Sequence, residues 1–212
     1  MENKINVISK LASSLNRRDE VPNQELAKQI VKKKEVKAVN ELVENLSNRN
    51  KAIQQDCIKV LYEIGEREPR LIAGYFKEFL ELLASKNNRL QWGAMAALNT
   101  IALENPRQVY NSLSKITAVA AKGSVITKDN CFFILIKLCS QKQYAEKVFP
   151  LLLEHLLGSP ANQFPLYAEQ AIPLITEKNK KPFVGILLTR LEDMEKESKR
   201  KRVEKVIKKF SK

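Results

Sequence analysis

One histidine, one tryptophan, three cysteines and six glycines are all that 212 residues contain of these types. Cys57, Cys131 and Cys139 have no CxxC spacing, and an odd number cannot pair fully. That pattern supplies neither a disulfide framework nor a zinc ribbon. His155 stands alone, so a histidine-based metal or acid–base site lacks its second histidine. With so few glycines there is no phosphate-cradling glycine loop, and HExxH, GxSxG and EF-hand patterns are absent as well. These absences call for no catalytic residue, no metal and no cofactor. No apolar run approaches the roughly 20 residues that a membrane span needs. Met1-Glu2-Asn3-Lys4 leads into an amphipathic stretch instead of the apolar core of a signal peptide, so a cytoplasmic location is expected.

What is abundant is helix-forming material. The hydrophobic content is 44%, ordinary for a folded chain, and Leu, Ile, Lys and Glu are plentiful. Apolar positions recur every 37 residues: Ile64, Ile101, Leu138 and Ile175 in one column, Leu61, Leu98, Leu135 and Ile172 in a second. Cys57, Ala94, Cys131 and Ala168 form a third, which marks two of the cysteines as small core residues. A period of this length, with helix-spaced apolar faces, is that of stacked two-helix units.

The local grammar agrees. Pro69 suits a helix start, and Ile72, Phe76, Phe79 and Leu83 then share one face. Asn88 is placed to cap a following helix over about 89–103, and Asn105-Pro106 starts the next unit in the same way. Helix pairs are predicted at 36–47 and 51–66, 107–121 and 126–141, and 144–157 and 164–177. A last unit begins at Pro182 and ends in a basic helix over 196–211. Two further helices, near 4–16 and 22–34, fall outside the register, as expected of an end cap. Pro150 and Pro173 should start or kink helices.

The stretch Arg89-Leu90-Gln91-Trp92-Gly93-Ala94-Met95-Ala96-Ala97-Leu98-Asn99-Thr100-Ile101-Ala102 alternates Ala and Leu. It resembles the second helix of HEAT repeats, and the resemblance extends over 36–194, with departures such as Phe132 and Phe133. It implies an all-α fold: a right-handed α-α superhelix of about five HEAT-like helix pairs with an N-terminal capping unit, forming a single domain over 1–212 (cap helices 1–35, repeats 36–194, basic helix 195–212). The family specifies architecture and serves many functions. Some HEAT-like proteins are DNA glycosylases that use a catalytic aspartate in a cleft with tryptophans and arginine. Here Trp92 is the sole tryptophan, and Gly93–Thr100 contains no acid. That departure speaks against such an activity.

At about 100° per residue, the face opposite the core columns carries Gln55, Lys59, Tyr62 and Glu66 in the first B helix. Advancing by 37 gives Trp92, Ala96, Asn99 and Leu103, then Asp129, Phe133, Ile136 and Ser140, then Leu166, Gln170, Pro173 and Glu177. B helices line the concave side of such a stack, so an aromatic-rich stripe there suits a protein partner. Gln55, Lys59, Tyr62, Trp92, Asn99, Phe133 and Ile136 are its candidate contact residues. Trp92 and Phe133 come from successive repeats and are placed to floor one pocket. The expected function is a non-enzymatic interaction scaffold.

The formal net charge is +13, and it concentrates at one end: residues 178–212 hold 13 Lys and Arg against 5 Asp and Glu. Lys199, Arg200, Lys201, Arg202, Lys205, Lys208 and Lys209 are candidate polyanion contacts, while Val203, Val206, Ile207 and Phe210 give the same helix an apolar stripe. Nucleic acid is therefore the alternative partner. Neither an oligomeric state nor a membrane partner follows from the residues.

Overall fold

The computed structural model describes residues 6–210, and among them the chain is helical, with no strand. Contacts gather into two compact units, the first ending at Asn130 and the second starting at Cys131.

In the first unit, α1 (Val21–Lys33) and α2 (Val36–Glu44) precede α3 (Lys51–Arg67). Lys34, at φ 50°, turns the chain out of α1 in a left-handed conformation, and its N–H bonds back to the carbonyls of Ile30 and Val31. Asn50 caps α3 by accepting the Ala52 N–H at 2.9 Å. Two 3₁₀ turns, Pro69–Leu71 and Ala73–Tyr75, lead into α4 (Phe76–Leu82), and α5 (Asn88–Thr100) follows. The cap of α5 is Asn87, one residue before the expected Asn88, and it accepts from the Arg89 N–H. Then come α6 (Pro106–Asn111) and α7 (Leu113–Lys122). Pro106 opens α6 as expected, although Asn105 makes no cap bond. Pro69 opens a 3₁₀ turn, and Ser112 divides the helix predicted over 107–121. Helix α8 (Val125–Cys139) contains the division between the two units.

The repeat columns are core. Cys57, Leu61, Ile64, Ala94, Leu98, Ile101, Cys131, Leu135, Leu138 and Ala168 are all fully buried. α3 and α5 pack closely where Gly65 and Gly93 lie. A Cβ on Gly65 would collide with Thr100 Oγ1, and one on Gly93 would sit 2.8 Å from Ile58. These two glycines are required by the approach of the helices.

The predicted helix over 4–16 is absent. Among the described residues that segment forms only a 3₁₀ turn, Ile8–Lys10, then turns that end in the left-handed Asn16, at φ 53°. Long-range bonds hold it. The Ser13 N–H donates to Asp56 Oδ2 at 2.7 Å, and Asn23 donates to Asp56 Oδ1 while accepting from the Ala12 N–H.

In the second unit, α9 (Lys142–Leu157) runs through Pro150 without ending, and α10 (Phe164–Ala171) gives way to a 3₁₀ turn, Ile172–Leu174, at Pro173. Ile172 and Ile175 are consequently half-buried, unlike their column mates. The Phe132 and Tyr167 rings stack at 4.0 Å, with the His155 ring beside both. α11 (Lys180–Leu191) supplies Arg190, whose guanidinium donates to the carbonyls of Leu157 and Ser159 and lies over the Phe164 ring. It closes the C-terminus of α9 with a cation, the sign that end of a helix favours. α12 (Glu197–Phe210) packs on α10 and α11, with Phe210 edge-on to Phe183.

Candidate functional site

On α3 and α5 the outward stripe is partly closed. Lys59 is 5% exposed and Tyr62 8%, so neither lies open as the helical spacing suggests. Lys59 is covered by Glu20, from the segment before α1. Its Oε2 lies 2.7 Å from Lys59 Nζ, and its Oε1 lies 2.7 Å from Arg89 Nη2. Lys59 also pairs with Glu63 at 2.8 Å, and Glu63 in turn with Arg67 at 2.6 Å. The Lys59 ammonium lies over the Tyr62 ring, Tyr62 meets Trp92 at 5.8 Å, and the Arg89 guanidinium lies over Trp92. These contacts close a ring: Glu20, Lys59, Tyr62, Trp92, Arg89 and back to Glu20. Such cation–aromatic contacts add to the ion pairs where water is excluded.

The ring fixes the charge states. Burial alone would lower the pKa of Lys59, but the Glu20 and Glu63 carboxylates overcome it and hold the value above the ordinary lysine range. Burial alone would likewise raise Glu63, but hydrogen bonds from Lys59 and Arg67 leave it below the usual carboxylate value. Burial pushes Tyr62 up. Cys57, Cys131 and Cys139 are free and buried, and burial pushes each thiol up to about 12, which disfavours the reactive thiolate. Among the described residues no group of three or more His, Cys, Asp or Glu is placed to hold a metal ion. No helix there is long and apolar enough to cross a membrane.

The other stripe positions differ in access. Gln55, Trp92 and Asn99 are half-buried, and Asn99 donates to Asn130 at 2.9 Å. Phe133 and Ile136, in the second unit, are also half-buried, and Phe133 stands edge-on to Phe132. Trp92 and Phe133 thus belong to different units, each held by its own neighbours.

The second unit contains a cleft of about 940 Å³. Three stripe positions line it: Ser140, Pro173 and Glu177. Its apolar lining comes from Phe149, Pro150, Pro173 and Leu174, and Lys142, Glu146, Glu177 and Lys178 place both charge signs around it. None of the seven candidate contact residues of the stripe lines this cleft. Its one sequence signal is Pro173, a proline that ends a B helix early and leaves 172–179 outside regular α-helix.

At the basic terminus, Lys199 donates to Asn162, and Arg202 makes a bidentate pair with Glu169 at 2.8 and 2.6 Å. That pairing with Arg202 holds Glu169 below the usual carboxylate range. Lys201 pairs with Glu197 on the surface, while Arg200, Lys205, Lys208 and Lys209 are exposed.

No protein-family model matches the chain, and no curated protein sequence matches it. Solved structures do. An engineered protein is 20% identical, with a TM-score of 0.63, over 98% of this chain and 99% of its own. A designed armadillo repeat protein in complex with the peptide (KR)4 is 16% identical, with a TM-score of 0.66, over 96% of this chain and 99% of its own. Computationally designed armadillo repeat proteins for modular peptide recognition give a TM-score of 0.65 at 16% identity, over 96% of this chain and 100% of theirs. At these identities the likeness is one of fold: the chain has the helical-repeat fold of the HEAT and armadillo type.

Proposed function

We propose that this chain is a non-enzymatic scaffold that binds a protein segment on the face of its B helices. The observation that carries this reading is the cleft of the second unit, where stripe positions Ser140, Pro173 and Glu177 come together beside Phe149 and Leu174. An apolar floor with a mixed-charge rim suits one or two apolar side chains of an extended segment, with the rim fixing its register. In the first unit the accessible aromatic of the stripe is the half-buried Trp92, with Arg89 above it. The designed armadillo proteins of the same fold that recognise peptides support a peptide-like partner.

Selection of a displayed peptide library on the immobilised protein tests this reading. Enriched peptides should bind the wild type and lose at least tenfold in affinity to Ala145→Arg. Ala145 lines the cleft and is half-buried, so a long side chain there fills the space. Absence of enriched peptides, or undiminished binding by Ala145→Arg, contradicts the proposal.

A further inference from the structure

We propose that the outer face of α12 is a nucleic-acid contact surface that grips the phosphate backbone without reading bases. Two of the basic residues on this helix are spent on docking it: Lys199 on Asn162 and Arg202 on Glu169. The apolar residues are spent as well, with Val203 fully buried, Val206 2% exposed and Phe210 against Phe183. What remains is Arg200, set about 80° to one side at helical spacing, and the four lysines Lys201, Lys205, Lys208 and Lys209, all exposed. At helical spacing these four fall within about 100° of arc and span about 12 Å along the axis. Glu197 is the acid paired on this stripe, and both it and Lys201 are well exposed at the ends of a 2.7 Å pair.

The chemistry of this face selects among polyanions. It presents no aromatic or apolar anchor, and lysine is depleted at protein interfaces, whose binding energy centres on buried anchors. With its apolar side packed against α10 and α11, the helix has no free face to insert into a lipid surface. Phosphates need only correctly spaced point charges, and lysine supplies these without the planar fork that arginine uses for bidentate reading. Binding of this kind is driven by counterion release and is therefore steeply salt-dependent.

The test is fluorescence anisotropy of the full chain with labelled 20-base-pair DNA and RNA duplexes across a salt series. With about three to four phosphates neutralised, log K should fall with log salt at a slope near −3. Replacing Lys201, Lys205, Lys208 and Lys209 together by Gln should flatten that slope and weaken binding at low salt at least tenfold. The control removes the same charge elsewhere, at the exposed Lys32, Lys33, Lys37 and Lys122, and should bind as the wild type does. Should the fourfold variant melt early, Lys205→Gln with Lys209→Gln keeps the comparison, at roughly half the change in slope. No duplex binding, equal loss in the control, or equally tight binding of poly-glutamate through the same lysines overturns the proposal.

Discussion

The carboxylate of Glu20 bridges Lys59 of α3 and Arg89 of α5, at 2.7 Å to each. One side chain from the segment before α1 thereby ties together the B helices of two repeats and covers a lysine that would otherwise face water. Glu20→Gln keeps the size and removes the charge. It should destabilise by about 1–2 kcal/mol, because the buried Lys59 loses one of its two carboxylates while Glu20 itself is partly solvated. Asp19→Asn next to it, where the carboxylate meets only Arg17 and the Val21 N–H at the surface, should leave the thermal melt unchanged. Equal melts for the two variants would show that the bridge contributes nothing.

The same ring predicts a pH dependence. Glu63 titrates below its ordinary value when folded. Its contribution is therefore complete above that ordinary value, near 4.5, and is lost as pH falls through the lower folded one. Wild type should exceed Glu63→Gln in stability at pH 7, and the gap should narrow as the pH falls below that ordinary value. Lys59 is shifted up, so its contribution persists through neutral pH and fades only above the ordinary lysine range. A gap between wild type and Glu63→Gln that stays constant from pH 7 to 3 would contradict the pairing.

Two glycine-to-alanine changes should have opposite signs. Gly65 has Thr100 Oγ1 and Ile72 Cδ1 within 2.7 Å of an added Cβ, and Ile72 is fully buried. Gly65→Ala should cost about 1–3 kcal/mol by overpacking. Gly185, inside α11, has nothing within 4 Å. Gly185→Ala should stabilise by about 0.5–1 kcal/mol through helix propensity. Chemical denaturation of both variants checks the pair, and a stabilised Gly65→Ala would mean that α3 and α5 are not in close contact there.

Trp92 reports on the first unit without labelling, because it is the only tryptophan. Half-buried beside Tyr62 and under Arg89, it should be quenched by acrylamide to an intermediate degree, and by iodide better than by caesium because of the nearby guanidinium. Blue-shifted emission that resists every quencher would mean that this part of the stripe is closed.

The 37-residue columns are legible in the sequence because core burial is periodic: Leu61, Leu98 and Leu135 repeat the same environment. Helix positions follow from the same spacing. The columns fray only at Ile172 and Ile175, where Pro173 converts the end of a B helix into a 3₁₀ turn. The segment before α1 is not the helix that its apolar spacing predicts. Asn16 turns left-handed there, and the Ser13 N–H bonds to Asp56, 43 residues away. Lys59 departs from expectation for a related reason. Local periodicity shows that it points away from its own repeat's core, but not that Glu20, 39 residues earlier, covers it. The cleft of the second unit is equally non-local, since Phe149 and Pro150 meet Pro173 and Leu174 only through packing.

The central claim, that a protein segment binds the B-helix face, is tested most directly by hydrogen–deuterium exchange with and without a library-selected peptide. Residues 140–141 and 175–179 lie outside the α-helices at the cleft, with several of their amides held by single turn hydrogen bonds, so they should exchange faster in the free protein than the amides inside α9 and α10. Bound peptide should slow exchange at those residues and leave α12 unchanged. Protection that misses 140–141 and 175–179 and falls on α12 or on the outer faces of α4 and α7 would contradict the account.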